Sequence, residues 1–364
     1  MNSRVHIIFT GGTIAMRTNA QGQLLPANTG EELLAAIPEL AAFAVSTQQL
    51  CNVPSAHLTN DHWLLMRQAV ISACADENVV GVVLVQGTDT LEETAFFLDA
   101  SLSNEALHDK PVIITGAMCS ADEVDTDGPS NLANAVFVTQ SPESKQRGVM
   151  VCMQGVIHAA RFVRKIHTTR TDAFSSLEHP VLGEMVQASD VQQSSQKPPQ
   201  NFQQYAINYH ASTQRFVPIV SLPEASLGSY NTLVEFPRVD IVSAHYHSDN
   251  LFVYASIKNG ASAIIIQALG AGNVNPTMRE GIERALAQGI PVVISSRVPM
   301  GETQALYGYV GGGQNLSQLG AVMAHDLPAH KARIYAQLLL AQEGATSHPK
   351  EIIQQGFESI RALA

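Results

Sequence analysis

Two short segments place glycine, hydroxyl and carboxylate groups where a ligand could meet them. Thr10-Gly11-Gly12-Thr13-Ile14-Ala15 follows the apolar run Val5–Phe9, and Gln86-Gly87-Thr88-Asp89-Thr90-Leu91-Glu92-Glu93-Thr94 follows Val79–Val85. In a parallel α/β fold, ligands bind at the carboxyl ends of strands, and glycine there lets backbone N–H groups come close to them. Each segment also has a plain structural reading. The first could be a tight turn or an eroded dinucleotide loop, although it lacks G-x-G-x-x-G. In the second, Asp89 or Thr90 could simply cap a helix whose acidic first turn suits the helix dipole. Capping alone gives no reason for a matching Gly-Thr at two separate strand ends.

The elements that must carry these segments follow from the periodicity. Val5–Phe9, Val79–Val85, Pro111–Ile114 and Gly148–Met153 are β-branched runs, interspersed with amphipathic stretches such as Asp61–Ala75. Continuous rather than alternating apolar strands imply sheets covered on both faces, an α/β pattern. From Gln187 to Gln204 the composition turns to Gln, Ser and Pro, which cannot supply a core. The expected organisation is a larger N-terminal α/β domain over 1–187 with a parallel-rich sheet, a linker over 188–213, and a smaller C-terminal α/β domain over 214–364 with a parallel sheet. In the latter, Val239–His245, Ala263–Gln267 and Pro291–Ser295 read as strands and Ser248–Lys258 and Pro276–Gln288 as helices. Pro328–Gln342, with Pro328 near the first helical position, and Pro349–Leu363 read as the last helices.

Composition narrows the function. The chain has 364 residues with a net charge of −11, and no broad positive field to neutralise phosphate or anionic lipid. Neither nucleic acid nor membrane is an expected partner. Charged residues make up only 15%, which fits a surface partly buried in an oligomer. The four cysteines, Cys51, Cys74, Cys119 and Cys152, have no C-x-x-C spacing, and the start of the chain is too short in apolar residues for a signal sequence. A reduced, cytoplasmic protein is the expectation. His245-Tyr246-His247 would place two imidazoles on one face of a strand, a spacing for two metal ligands, but no third ligand is identifiable. The acidic run 120–127 lacks the distal glutamate of a calcium loop and reads as a solvated loop before a helix at Pro129.

Together TGGTIA and QGTDTLEETA resemble the bacterial-type L-asparaginase/glutaminase family. Thr115-Gly116-Ala117-Met118 with Asp127-Gly128-Pro129-Ser130-Asn131-Leu132, and Ser295-Ser296-Arg297-Val298-Pro299-Met300-Gly301, extend the resemblance over nearly the whole chain. It implies a two-domain asparaginase-like fold, no cofactor or metal, and a homotetramer of tight dimers with active sites at subunit contacts. It implies Thr13 as nucleophile on a side-chain amide, with Lys165, held by Asp89, acting through Thr88. The spacing from Arg161 to Lys165 is the basis for choosing Lys165 over Arg164. A threonine hydroxyl needs such a base close by. By the same resemblance the substrate site comprises Gly12, Ser55, Gly87, Thr88, Asp89, Ala117 and Asn273. Backbone N–H groups following Gly12 and Gly87 would face the oxyanion, and Ala117 would offer its carbonyl to the amide nitrogen.

The chain departs from the family pattern at three places. The loop Arg17–Pro26 carries no tyrosine, Ala56 follows Ser55 where a polar residue is usual, and Glu302 is the only carboxylate between Arg297 and Asp326. Missing polar contacts argue for a changed substrate rather than a lost reaction. The expected activity is hydrolysis of L-asparagine to L-aspartate and ammonia. The alternatives are an amidase on a related carboxamide (glutamine, D-asparagine or an N-substituted amino acid) and a non-catalytic amino-acid-binding regulator.

Overall fold

The computed structural model describes residues 3–18, 21, 24–26, 32, 34, 37–187, 205–210, 215–222, 235–342 and 345–363. The chain divides into two units, Met1–Arg215 and Phe216–Ala364.

In the first unit the strands are β1 (Arg4–Phe9), β2 (Met16–Thr18), β3 (Leu24–Pro26), β4 (Val45–Gln49), β5 (Val79–Val85), β6 (Val112–Thr115), β7 (Val149–Met153), β8 (Val156–Ala159), β9 (Arg164–Lys165), β10 (Phe174–Ser175), β11 (Gly183–Gln187) and β12 (Tyr205–Tyr209). Eight of them form one sheet in the order β12-β11-β8-β7-β6-β5-β1-β4. The strands β4, β1, β5, β6 and β7 run parallel, and β8, β11 and β12 complete the sheet by antiparallel pairing. The pairs β2–β3 and β9–β10 stand as separate two-stranded ribbons.

Burial explains why the central strands are so apolar. Val82, Val83, Leu84 and Val85 are wholly buried, because helices cover the sheet on both faces. Gly81 lets one helix approach closely: a Cβ there would lie 2.7 Å from Cβ of Thr139, on the helix Gly128–Gln140. Other strands escape an apolar-run reading because they are edge or polar strands. Val45–Gln49 is half-exposed, with a glutamine pair at its end. Tyr205–Tyr209, inside the 188–213 stretch read as linker, forms the edge strand β12 against β11. A strand with only one partner needs no continuous hydrophobic run, so composition hides it. Residues 188–204 lie outside the described residues.

The second unit contains β13 (Val239–Ser243), β14 (Ala263–Ala268), β15 (Val292–Ser296) and β16 (Val322–Met323), parallel throughout and in sequential order. The helices Leu251–Lys258, Pro276–Ala287, Gly313–Gln318, Ala329–Leu340 and Pro349–Arg361 accompany them. Ile264, Ile266, Met278, Ile282, Val292 and Ile294 are among the buried residues of its core. Two local expectations change. Pro328 occupies the cap position with ψ 156° rather than the first helical position. The first strand of this unit stops at Ser243, so His245 and His247 lie beyond it and His247 takes a left-handed φ of 57°. The strand geometry that suggested two metal ligands is therefore not formed.

Candidate active site

The register of the large sheet brings four strand ends to one level. Phe9 pairs with Gln49 on one side and Val85 on the other, and Val85 pairs with Thr115. Hydrogen bonds continue this alignment into the loops: Thr10 N–H donates to Val85 O, Gln86 N–H to Thr115 O and Val53 N–H to Thr10 O, all at 3.0–3.1 Å. The loops that leave these ends carry Thr13 after β1, Ser55 after β4, Thr88 and Asp89 after β5, and Ala117 after β6. Residues as far apart in sequence as Thr13 and Ala117 thus share one end of the sheet.

Glycine permits the closest of these approaches. Gly12, at φ +96°, would with a Cβ sit 2.3 Å from the Gly87 Cα and N, so any side chain there would collide with the facing loop. A Cβ on Gly87 would lie 2.9 Å from the Ser55 hydroxyl, and one on Gly116 would lie 2.3 Å from the Gln86 carbonyl. Thr13 follows Gly12 and opens a single 3-10 turn, Thr13–Ala15, where it is half-buried. Thr88 is buried at the start of an equivalent turn, Thr88–Thr90.

Polar contacts converge on the second turn. Lys165 Nζ donates to Thr88 Oγ1 at 2.9 Å and to Asp89 Oδ1 at 2.7 Å. The lysine side chain is 14% exposed and the aspartate side chain 69%, so the pair lies at the surface of the unit with its carboxylate outward. Ser55 Oγ accepts from the Asp89 N–H at 3.2 Å, and the Ser55 carbonyl accepts from Thr90 Oγ1 at 3.1 Å. Ala117 is buried in a loop fixed from behind. Asp127 accepts from the N–H groups of Met118 and Cys119, while Asn131 Nδ2 donates to the Gly116 carbonyl and to Asp127. A hydroxyl with an ammonium against it, next to a second hydroxyl-bearing turn and lined by glycine backbone, is equipment for nucleophilic attack on a carbonyl carbon.

Comparison with known proteins gives the same direction. Residues 4–199 match the family described as Asparaginase, N-terminal, and residues 238–354 match the Glutaminase/Asparaginase C-terminal domain. The chain belongs to the asparaginase family. It is 31% identical over 344 residues to the L-asparaginase of Bacillus licheniformis, a match covering 94% of this chain and 96% of that protein. L-asparaginase 2 of Bacillus subtilis (strain 168) is 31% identical over 353 residues, covering 96% and 84% respectively. Among solved structures, the probable cytoplasmic L-asparaginase from Campylobacter jejuni superposes with a TM-score of 0.79 at 29% identity, covering 98% of this chain and 99% of that one.

Within this asparaginase-family chain, the first unit brings together Gly12, Ser55, Gly87, Thr88, Asp89 and Lys165. Thr13 and Ala117 stand on neighbouring strand-end loops. Asn273 belongs to the second unit, in the turn after β14, where its side-chain oxygen accepts from the Gly313 N–H at 3.1 Å. The nearby Asn275 has a different task, capping the helix Pro276–Ala287 through the Met278 N–H at 2.8 Å. Among the described residues no group of three or more His, Cys, Asp or Glu side chains could hold a metal ion.

Three residues went unassigned in the sequence reading. Asp127 and Asn131 stand in the quoted DGP-x-NL segment, and their buried hydrogen bonds to the 116–119 loop give that segment a physical reason. From the sequence Glu92 reads as an acid suiting a helix N-terminus, yet it is buried and reaches the chain carrying Lys165. Nothing in the sequence separates Glu92 from its neighbour Glu93.

Proposed function

We propose that this chain hydrolyses L-asparagine to L-aspartate and ammonia through a threonine acyl-enzyme. The observation that carries the reading is the Lys165 ammonium, hydrogen-bonded at once to the Thr88 hydroxyl and the Asp89 carboxylate. In this scheme Lys165 acts as a neutral amine after giving up one proton: the Thr13 hydroxyl oxygen bonds to the side-chain carbonyl carbon, and its proton passes by way of Thr88 to the Lys165 amine nitrogen. The carbonyl electrons move onto oxygen, where backbone N–H groups following Gly12 and Gly87 stabilise the negative charge. Collapse of this intermediate breaks the C–N bond and releases ammonia after protonation of the leaving nitrogen. Water then cleaves the ester and restores the threonine hydroxyl. The exposed Asp89 carboxylate suits the substrate ammonium, and Ser55 the α-carboxylate. Ala117 completes the proposed contacts of the first unit, and Asn273 is proposed to reach the substrate site of a partner subunit. Thr88 in place of Thr13 as first attacker would run the same chemistry from the facing turn.

A second reading within the class is favoured by Ala56, an exposed methyl beside Ser55 where another polar contact would select a free amino acid. On that reading the preferred substrate is glutamine, D-asparagine or an N-substituted amino acid. We further infer a cytoplasmic homotetramer. The likeness to a protein described as a cytoplasmic L-asparaginase supports the compartment. The exposed Val298, Met300, Leu306, Tyr307, Tyr309 and Val310, each between 45% and 58% accessible, support subunit association.

Ammonia release over a panel of these amides tests the proposal. L-Asparagine turnover with a loss of roughly 10³-fold or more in Thr13→Ala is expected. Wild-type turnover in Thr13→Ala would remove Thr13 as nucleophile, and binding of amides without turnover of any would make the chain a sensor.

A further inference from the structure

Lys165 is gripped at both ends by one short stretch of chain. Thr88 and Asp89 hold its ammonium. At the other end, the Lys165 backbone N–H donates to Glu92 Oε1 at 3.3 Å, and the second carboxylate oxygen of Glu92 lies 3.3 Å from Nε of Arg164. Glu92 stands in the first turn of the helix Leu91–Ser101, which begins directly after the Thr88–Thr90 turn. The same segment therefore fixes the head of the lysine and the backbone from which its side chain springs.

This grip answers a mechanical need. Lys165 lies on β9, a strand of two residues paired, among the described residues, with β10 alone, and so short a ribbon is a weak support for a group whose reach sets the chemistry. The Glu92 side chain is only 10% exposed, and a carboxylate so far from water is tolerated when charged and hydrogen-bonding partners surround it. Arg164 supplies the charge and Lys165 the N–H. We propose that Glu92 is a positioning residue: it anchors the Arg164–Lys165 backbone so that the ammonium meets the Thr88 hydroxyl. The proposal rests on the role given above to Lys165. Glu92 acts only through that lysine, so its loss lowers the rate of the chemical step and spares substrate affinity.

Steady-state ammonia release from L-asparagine by the full-length chain tests this in Glu92→Gln, Glu92→Leu, Arg164→Met and Lys165→Met, with circular dichroism to establish the folded fraction. Glu92→Leu is expected to lower kcat about 10- to 100-fold with KM within about twofold, the scale of a misplaced catalytic group. In Glu92→Gln the amide oxygen still accepts the Lys165 N–H, and kcat should recover to within about fivefold of wild type. Arg164→Met should fall between them. Wild-type kcat in Glu92→Leu overturns the proposal, as does a rise in KM at unchanged kcat. If Glu92→Leu does not fold, Arg164→Met decides: a kcat loss at constant KM supports the anchor, and wild-type kcat refutes it. The Lys165→Met variant separates the two layers. Wild-type turnover there would sink the catalytic reading itself, whereas an inactive Lys165→Met beside fully active Glu92 variants would sink only the anchor.

Discussion

Two basic–acidic pairs in the first unit have nearly the same length and very different surroundings. Lys165–Asp89 spans 2.7 Å with its side chains 14% and 69% exposed, whereas Arg215–Asp99 spans 2.8 Å with 9% and 5%. The buried pair is closed on several sides. Asp99 Oδ1 also accepts from the Val149 N–H, and Arg215 donates to Asn104 Oδ1 and to the Asp99 carbonyl. Burial pushes the Asp99 carboxyl up from the usual carboxylate range, with Arg215 and the Val149 N–H opposing that rise. The pair at the strand ends is instead left open on its carboxylate side and directed at a hydroxyl. One arrangement locks Arg215 to the body of the unit. The other keeps an ammonium beside the group on which it is proposed to act.

By that distinction, removing one cation should harm activity and removing the other should harm the fold. Lys165→Met is expected to lower kcat by about 10²–10⁴, the usual worth of positioned acid–base help, while its urea midpoint stays close to wild type. A large loss of stability with little loss of rate would invert the comparison. Arg215→Met leaves Asp99 buried without its cation and should cost about 3–5 kcal/mol in urea unfolding, with kcat per folded molecule unchanged. A cost below about 1 kcal/mol would show that the buried pair contributes no more than a surface pair.

Thiol chemistry sharpens the same contrast at smaller scale. Burial pushes the thiols of both Cys74 and Cys152 up to about 12, whereas Cys51 and Cys119 are only half-buried, in the loops that carry Ser55 and Ala117. At pH 8 a thiol-alkylating reagent should label Cys51 and Cys119 in the native protein well before Cys74 and Cys152. The sign with pH follows from the raised values. The proton retained by the two core thiols stabilises the fold fully below the unfolded pKa near 8.5, and that contribution is lost as pH rises from there toward 12. Peptide mapping after a timed pulse reads the order, and early labelling of Cys152 would mean that the core opens far more readily than its packing implies.

Some of this was legible in the chain alone. Runs such as Val79–Val85 state a covered strand, because only a sheet buried on both faces tolerates so many consecutive aliphatics. Gly-Thr at the ends of two such runs pointed to the ligand-binding edge. The edge strands β4 and β12 were illegible, since strands with one partner and half-exposed faces carry polar residues, and Tyr205–Tyr209 passed for linker. Glu92 was illegible for another reason. Adjacent glutamates on a helix differ in which one faces a neighbouring chain segment, and that neighbour, Arg164–Lys165, lies some seventy positions on.

The amino-acid sequence by itself determined the covered strands and main helices, the two-unit α/β plan and the inventory of reactive groups, because side-chain size, branching and backbone freedom act locally. Only the tertiary structure decided which groups meet. Strand register aligned Phe9, Val85 and Thr115, the absence of side chains let the Gly12 and Gly87 loops touch, and a two-residue ribbon delivered Lys165 to Thr88. Those meetings are set by hydrogen-bond pairing and packing between distant segments, which short-range patterns do not encode.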